Sequence, residues 1–598
     1  MTLSNHPPRP VLALSVGITG HRPPLLRPEA GDAAATRLVR IFQTLAEATE
    51  ALQEKHPDLF ADTPFVPILT SALAEGADQI AAQVALDTGY VLQAVLPLPR
   101  EEYRKDFDDE ALGRFDALFE RAERTFELPM QPGGRDEGYA LAGRATVAHC
   151  DVLIALWDGE PARGPGGTAE IVALAVRRGM PVLHLPMDSE EETRIVWTGY
   201  GDFIDPADIA SVPTRLADKA GLSALVNTLL GPPEAPGETE NLRKYLLERE
   251  QLLRPRAEYP LLLATLGIKR LRRSAFIGEN YREATRAEWQ SFHDECAGGR
   301  HGVSAQLDGI ETAFAWSDRL AQHFAQSYRS GHVLNFSLGA LAVLIALSGL
   351  LFPQIEFWAA LCETMAITGF VINTLVGTRR QWHRRWLEYR QLAERLRPMR
   401  SLKLLGVAVP PGPMHGEHQV RRWVDWYANA QWRAAGCSSG VLMDTDALSR
   451  AIIAEEIKPQ IDYHRSSALQ MHRLDHRLHQ LGMLFLVGSV LGCFSSVTAN
   501  FFAHDFAVAH AHVFIALSAG MPAMGAAIFG IRMQGDFGAS AERSLITASS
   551  LDRIVEALAA PGIGLARQTI LAEAAAATML SELDNWHHAY SQRRLELP

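Results

Sequence analysis

Hydrophobic positions change their rhythm along this chain. Over the first 190 residues, short apolar runs alternate with stretches whose apolar residues recur every three or four positions. Residues 11–19, VLALSVGIT, form the first run, followed by PFVPILTSA, VLQAVLP, DVLIALWDG and PVLHLP. Between them lie a helical pattern beginning near Ala33, then AEGADQIAAQVALD, YRKDFDDEALGRFDALFERAE, GYALAGRATVAHC and TAEIVALAVRRG. Strands alternating with amphipathic helices predict an α/β fold, a doubly wound parallel sheet of Rossmann-like type. We place that N-terminal domain at residues 1–230, ending where GPPEAPGETE brings proline, glycine and acid together.

Further on the apolar runs lengthen. From Ser330 to Ile355 there is no Asp, Glu, Lys or Arg. VLNFSLGALAVLIALSGLLF reaches the ~20 residues that cross ~30 Å of hydrocarbon at 1.5 Å per residue. FWAALCETMAITGFVINTLVG follows after the turn PQIE. A third span runs from Leu481 to Phe502 and a fourth from about Phe506 to Ile531. The expectation is an α-helical membrane region with four transmembrane helices in two hairpins. A cytosolic helical linker occupies 241–330, and the first hairpin with its exit helix 331–404. A cytosolic helical segment fills 405–464, and the second hairpin with C-terminal helices 465–598. Each hairpin has a basic approach, two spans and an exit helix (LEYRQLAERL; SAERSLITASSL), the pattern of a weak internal repeat.

Charge orients the spans. TRRQWHRRWLEYRQLAERLRPMR follows span two, Arg465, Arg473 and Arg477 precede span three, and Arg532 follows span four, whereas the turns PQIE and AHD carry no Lys or Arg. The positive-inside rule puts both termini in the cytoplasm. The stripe Trp382, Trp386, Tyr389, Leu392, Leu396 and Met399 either packs on a neighbouring helix or lies on anionic lipid. Glu363 is the one acid inside a span, and Glu356 lies seven residues earlier on the same face, so both are membrane or pore candidates.

Composition narrows the rest. There are 69 acidic against 57 basic side chains, a net charge of −12, which argues against a nucleic-acid partner. Seven of the 57 cations are lysine, and with abundant alanine this points to a GC-rich bacterial genome and hence to the inner membrane. The five cysteines form no CxxC, which excludes a zinc ribbon, and MTLSNHPPRP lacks the apolar run of a signal peptide. His504, Asp505, His510 and His512 gather at the second turn, either as a metal site or as interfacial histidines. Thr198 to Asp202, TGYGD, looks like a potassium-filter motif but has no flanking span. His415 to His418 lacks the spacing of two ligands on one helical face. VRRWVDWYANAQWRAAG reads as an amphipathic helix with buried tryptophans.

Chemistry concentrates at three strand ends. Gly17-Ile18-Thr19-Gly20-His21-Arg22 offers close backbone approach and donors for a phosphate. Ser71-Ala72-Leu73-Ala74-Glu75-Gly76-Ala77-Asp78 runs from strand into helix. Trp157-Asp158-Gly159 leads to Arg163-Gly164-Pro165-Gly166-Gly167-Thr168-Ala169-Glu170, where unpaired helix-start amides suit an anion.

These three segments resemble the SLOG superfamily, related to the LOG and DprA Rossmann folds, over residues 10–190. The resemblance implies a nucleotide or nucleotide-derived ligand and no other cofactor. By that match Gly17, Thr19, Gly20, His21, Arg22, Ser71, Glu75, Gly76, Asp78, Asp158, Gly166, Gly167, Thr168 and Glu170 line the pocket, with Trp157 as a stacking platform or a core aromatic. The hairpin pair and RRWLEYRQLAERLR resemble the SLATT group of two-span domains in bacterial conflict systems. That implies an oligomeric, membrane-perforating effector in anti-phage defence, functionally linked to a nucleotide-signal synthase. One departure stands out: LOG hydrolases carry PGGxGTxxE, whereas here PGGTAEI sets Glu170 two residues after Thr168 and not three. A membrane-tethered nucleotide hydrolase is therefore the alternative, and a transporter or scaffold with a regulatory pocket a third.

Overall fold

A computed structural model describes residues 5–164, 166–187, 191–201, 204–278, 280–296, 303–410, 412, 420–442 and 444–591. The N-terminal layer follows the chain as β1 (Ala13–Gly20), α1 (Pro28–Lys55), β2 (Val66–Ser71), α2 (Ala77–Asp87), β3 (Val91–Leu96), α3 (Arg100–Tyr103), α4 (Asp109–Arg121) and β4 (Arg124–Glu127). It continues with α5 (Arg135–His149), β5 (Val152–Trp157), α6 (Thr168–Arg177), β6 (Val182–Pro186), β7 (Arg194–Val196), β8 (Thr214–Leu216) and α7 (Lys219–Leu230).

The nine-stranded sheet has the order β8-β7-β6-β5-β1-β2-β3-β4-β9. β6 through β4 are mutually parallel, and β7 and β8 add antiparallel at one edge. Leu14, Val16, Ile154 and Leu156 are buried because helices cover both faces, and this is why these strands read as unbroken apolar runs. The doubly wound expectation holds, with two short antiparallel strands added. The other edge strand, β9 (Gly440–Val441), lies far downstream. It pairs parallel to β4 through Phe126↔Gly440 and Glu127↔Val441.

The remaining elements are helical: α8 (Glu238–Leu246), α9 (Glu258–Thr265), α10 (Tyr281–Cys296), α11 (Val303–Leu351), α12 (Glu356–Arg379), α13 (Trp382–Leu396), α14 (Met399–Leu405), α15 (Trp423–Ala434), α16 (Thr445–Ile452), α17 (Lys458–Phe502), α18 (His504–Ala509), α19 (Ala511–Gly535), α20 (Phe537–Leu558) and α21 (Leu565–Ser591). Four stretches are long and apolar enough to cross a membrane, within Ala305–Leu351, Pro353–Arg379, Thr445–Phe502 and Ala511–Leu558. Their apolar side chains point outward: Leu484, Phe494 and Phe501 are exposed. A soluble protein would bury them, whereas hydrocarbon solvates them. At 49 residues α11 runs roughly 70 Å, so only its second half spans and its first half descends into the soluble body.

The two hairpins share a construction. α12 is separated from exit helix α13 by Gln381 in the left-handed region (φ 52°), and α19 from exit helix α20 by Asp536 in the same region (φ 47°). The hairpins meet where Gly530 of α19 abuts the Phe336 ring of α11, a site with no room for a Cβ. Close small-residue contact of this kind joins helices in lipid, where apolar burial supplies no drive. At the base of the first hairpin Asn373 donates to the Gly331 carbonyl (3.0 Å) and to Asn335 Oδ1 (2.6 Å). Arg532 forks onto Asp475 at 2.9 Å at the base of the second.

The Trp382-to-Met399 stripe is wholly buried, so it packs against neighbouring helices and does not lie on lipid. The tryptophans of α15 are likewise buried. Thr198–Tyr200 forms a single 3-10 turn. Asp202, Pro165 and the His415–His418 segment lie outside the described residues.

Candidate functional site

The strand order reverses between β1 and β5, since β2 to β4 extend one way and β6 to β8 the other. Ligands of doubly wound sheets sit in the crevice at such a reversal, beyond the carboxyl ends of the strands. A cavity of about 330 Å³ lies there. Thr19 and Gly20 line it from the end of β1, His21 and Arg22 from the turn after it, Trp157 from β5, Ala74 and Asp78 from the β2–α2 turn and the first turn of α2, and Arg163, Gly164, Gly166, Gly167 and Thr168 from the loop into α6. Tyr103 and the α5 residues Tyr139, Gly143 and Thr146 complete the wall.

Glycine is required at two places in this cup. A Cβ on Gly20 would overlap the Ala77 Cβ and stand 2.9 Å from the Leu156 carbonyl. Gly166 is left-handed (φ 71°), and a Cβ there would press within 2.9 Å of the Ala140 amide, so the loop lies directly on α5. Gly167 is the N-cap of α6 and offers no side-chain cap. The leading amides at Thr168 and Ala169 therefore have no acceptor within the helix and carry its positive end.

Arg22 lies with its guanidinium 5.3 Å from the Tyr139 ring centroid. Burial pushes the Asp78 carboxyl up to about 6, against the pull of Arg22 and of hydrogen bonds from the turn amides. His21 Nε2 stands 3.0 Å from Asp158 Oδ1, and Arg163 donates to Asp158 Oδ2 at 2.8 Å. Burial opposes the charge of Asp158, but Arg163 and His21 outweigh it and hold the carboxyl at about 2. Trp157 lines the cavity edge, yet its indole N–H donates to the Glu160 carbonyl at 3.0 Å and its ring packs 5.4 Å from His184.

Six expected residues stand outside the lining: Gly17, Ser71, Glu75, Gly76, Asp158 and Glu170. Gly17 lies beneath α5, where a Cβ would meet Cys150 Sγ at 2.7 Å. Ser71 is fully buried; its hydroxyl accepts from the Leu73 amide and faces Asp78 at 3.4 Å. Glu75 sits in the turn, and Gly76 serves as a spacer against the His21 carbonyl. Asp158 is engaged by His21 and Arg163. Glu170 turns back to accept from the Gly166 amide at 2.7 Å. Conversely, Tyr103, Tyr139, Gly143, Thr146 and Arg163 line the cup without having been expected to. Only Arg163, inside the glycine-rich loop, left any local signal.

The far end of α5 reaches the segment after the first hairpin. His149 donates from Nε2 to the Gly406 carbonyl (3.0 Å), and Lys403 Nζ lies 3.1 Å from its Nδ1. Lys403 also donates to the Gly436 carbonyl at 2.6 Å and sits 3.7 Å from the Trp432 ring centroid. Burial, reinforced by the Lys403 charge, holds His149 neutral, and burial drives the Lys403 ammonium well below its ordinary value. Arg144 of α5 donates to the Val407 carbonyl (3.3 Å) and pairs with Glu573 of α21 (3.2 Å).

In the membrane region Glu356 opens α12 at the hairpin turn, exposed, so it does not lie at depth. Glu363 is half-buried between Ala359 and Ala366, which face the α11 seam. Among the described residues neither carboxylate forms an ion pair. Nor does any group of three or more His, Cys, Asp or Glu there converge as metal ligands would.

A family model described as "Protein of unknown function (DUF4231)" matches residues 312–402, from the lower half of α11 through α12 and α13 into α14. No curated protein matches the chain, and no solved structure does.

Proposed function

We propose that this chain is a membrane effector whose hairpins respond to a nucleotide-type ligand held in the β1/β5 cup. One observation carries the reading. α5 forms a wall of the cup with Tyr139, Gly143 and Thr146, and the same helix is bonded through Arg144 and His149 to the segment that leaves exit helix α13. A ligand that prefers one position of α5 thereby biases α13 and the first hairpin, and differential affinity between two such states is all that gating requires.

The cup supports a phosphorylated ligand. Its volume falls within the ~300–1,000 Å³ of small-molecule sites. The α6 amides and Arg22 offer an anion cradle, and aromatic rings flank it. This agrees with the SLOG resemblance. The matched family region coincides with the hairpin and exit helix that resemble the SLATT group. Hydrolysis is not favoured, because the Glu170 carboxylate is occupied by the Gly166 amide. Cytoplasmic termini, a bacterial inner membrane, a role in defence, an upstream synthase and assembly of several copies around a pore all belong to this proposal.

Thermal-shift measurements on the purified chain with mono-, di- and cyclic nucleotides test the sensor. At least one nucleotide is expected to raise the midpoint. Arg22→Ala should abolish the rise by removing a charge-assisted contact of about 1.5–3 kcal/mol. Ion flux from liposomes bearing the chain tests the effector. A nucleotide that binds yet never opens a path across the bilayer defeats the proposal.

A further inference from the structure

Between the sheet and the first hairpin, residues 252–278 form a loop closed on itself. Leu253 and Ile277 make an antiparallel bridge, and Arg254 donates from its amide to the Phe276 carbonyl at 2.8 Å. α9 lies inside this loop. Tyr259, with Leu262, Leu263, Leu266 and Ile268, packs onto Val333, Leu474, Leu478, Ile528 and Ile531 at the bases of three spans. The Tyr259 amide donates to Ser330 Oγ at 3.1 Å. The same cluster takes in Phe336 and Phe485, which lie inside the apolar stretches. The loop is thus fixed at the boundary between the polar body and the hydrocarbon.

Its outer side remains apolar and basic together. Leu253 is 72% and Phe276 40% exposed, and Leu261, Leu271 and Ile277 are exposed with them. Lys269, Arg270, Arg272 and Arg273 are exposed, and among the described residues none of them forms an ion pair. From Tyr259 to Gly278 there is no acidic residue.

An apolar face bare to water is costly, and four adjacent like charges repel one another. Both costs vanish at one kind of surface: a leaflet edge whose acyl boundary takes the leucines while anionic headgroups take the cations. We infer that the 252–278 loop is an interfacial foot that binds the anionic headgroups of the leaflet facing the sheet domain. The inference rests on the helices being membrane-spanning, and not on the ligand of the cup.

The test uses the full chain with Cys362 and Cys493 replaced by serine and a fluorophore on Ser274→Cys. It is reconstituted in phosphatidylcholine vesicles, or in vesicles of phosphatidylcholine and phosphatidylglycerol in equal parts, with a headgroup-attached quencher. Quenching should be about fivefold stronger in the anionic vesicles and fall with salt, since one cation near such a surface contributes about that factor. Changing Lys269, Arg270, Arg272 and Arg273 together to glutamine should erase the difference between the vesicles. Phe276→Ser with Leu271→Ser should weaken quenching in both. Equal quenching in the two vesicles for the unaltered loop overturns the inference, as does label-to-label cross-linking that reveals a second copy covering it. A chain that never inserts into vesicles speaks against the spans themselves.

Discussion

The Lys403 ammonium lies 3.1 Å from Nδ1 of His149, two buried basic side chains from the membrane-proximal and the sheet-bearing parts of the chain, joined in one hydrogen bond. Among the described residues neither group forms an ion pair, although the buried Asp151 carboxylate acts on Lys403 through its charge; backbone carbonyls of Gly406 and Gly436 complete the arrangement. Such a contact is specific in geometry and expensive in solvation.

Lys403→Met should separate sensing from response. The methionine keeps most of the stem packing against Trp432 but removes the donor to Gly436 and His149. We expect a stability loss of about 1–3 kcal/mol for the unsatisfied acceptors, partly offset because a cation is no longer buried. The nucleotide-induced thermal shift should persist while flux falls. Unchanged flux would mean that the signal travels elsewhere.

Asp78 makes the cup sensitive to pH. Its folded carboxyl titrates at about 6, above the 3.8 of the unfolded chain. The raised value means that its contribution to stability is complete below about 3.8 and is lost as pH rises through 6. Two units correspond to about 3 kcal/mol. Denaturation midpoints across this window should decline with pH more steeply in the wild type than in Asp78→Asn. Parallel curves would refute the assignment.

The Arg400–Glu456 pair tests the soluble body independently of any ligand. Both side chains are buried, with Arg400 Nε donating to Glu456 Oε2 at 2.6 Å. Glu456→Ala strands a cation whose other partner, Glu288, is half-exposed, and should cost about 3–5 kcal/mol by chemical denaturation. Replacing both residues by leucine and methionine should recover most of that loss.

Glu363 is expected to matter for conduction and not for folding. Glu363→Gln should leave the unfolding free energy within about 0.5 kcal/mol of wild type while reducing cation preference in the flux assay. Glu356→Gln, at the exposed turn, should alter neither. Identical ion preference in wild type and Glu363→Gln would remove this carboxylate from the conduction path.

Much of the fold could be read from the chain because burial writes itself into runs. β1, β2, β3, β5 and β6 are covered on both faces and appear as unbroken apolar stretches; the spans appear because hydrocarbon tolerates little else. β4, β7, β8 and β9 are too short to show a period, and their existence is decided by what they pair with. In the cup, Gly20, Arg22 and Thr168 were legible from the turns they occupy. Tyr139 and Thr146 were not, since α5 is built of small residues without a distinct apolar face, and only its seat across the sheet brings them to the cavity. Nothing in the local pattern MRSLKLL marks Lys403 for burial; tertiary packing buries it.

The last strand to join the sheet, Gly440–Val441, leaves the ribosome after α11 and α12. During synthesis β4 is therefore an open edge, a hazard for pairing with other chains. It is closed only when the nascent polypeptide returns from the bilayer. Completion of the N-terminal layer therefore waits until the whole first hairpin has been synthesised.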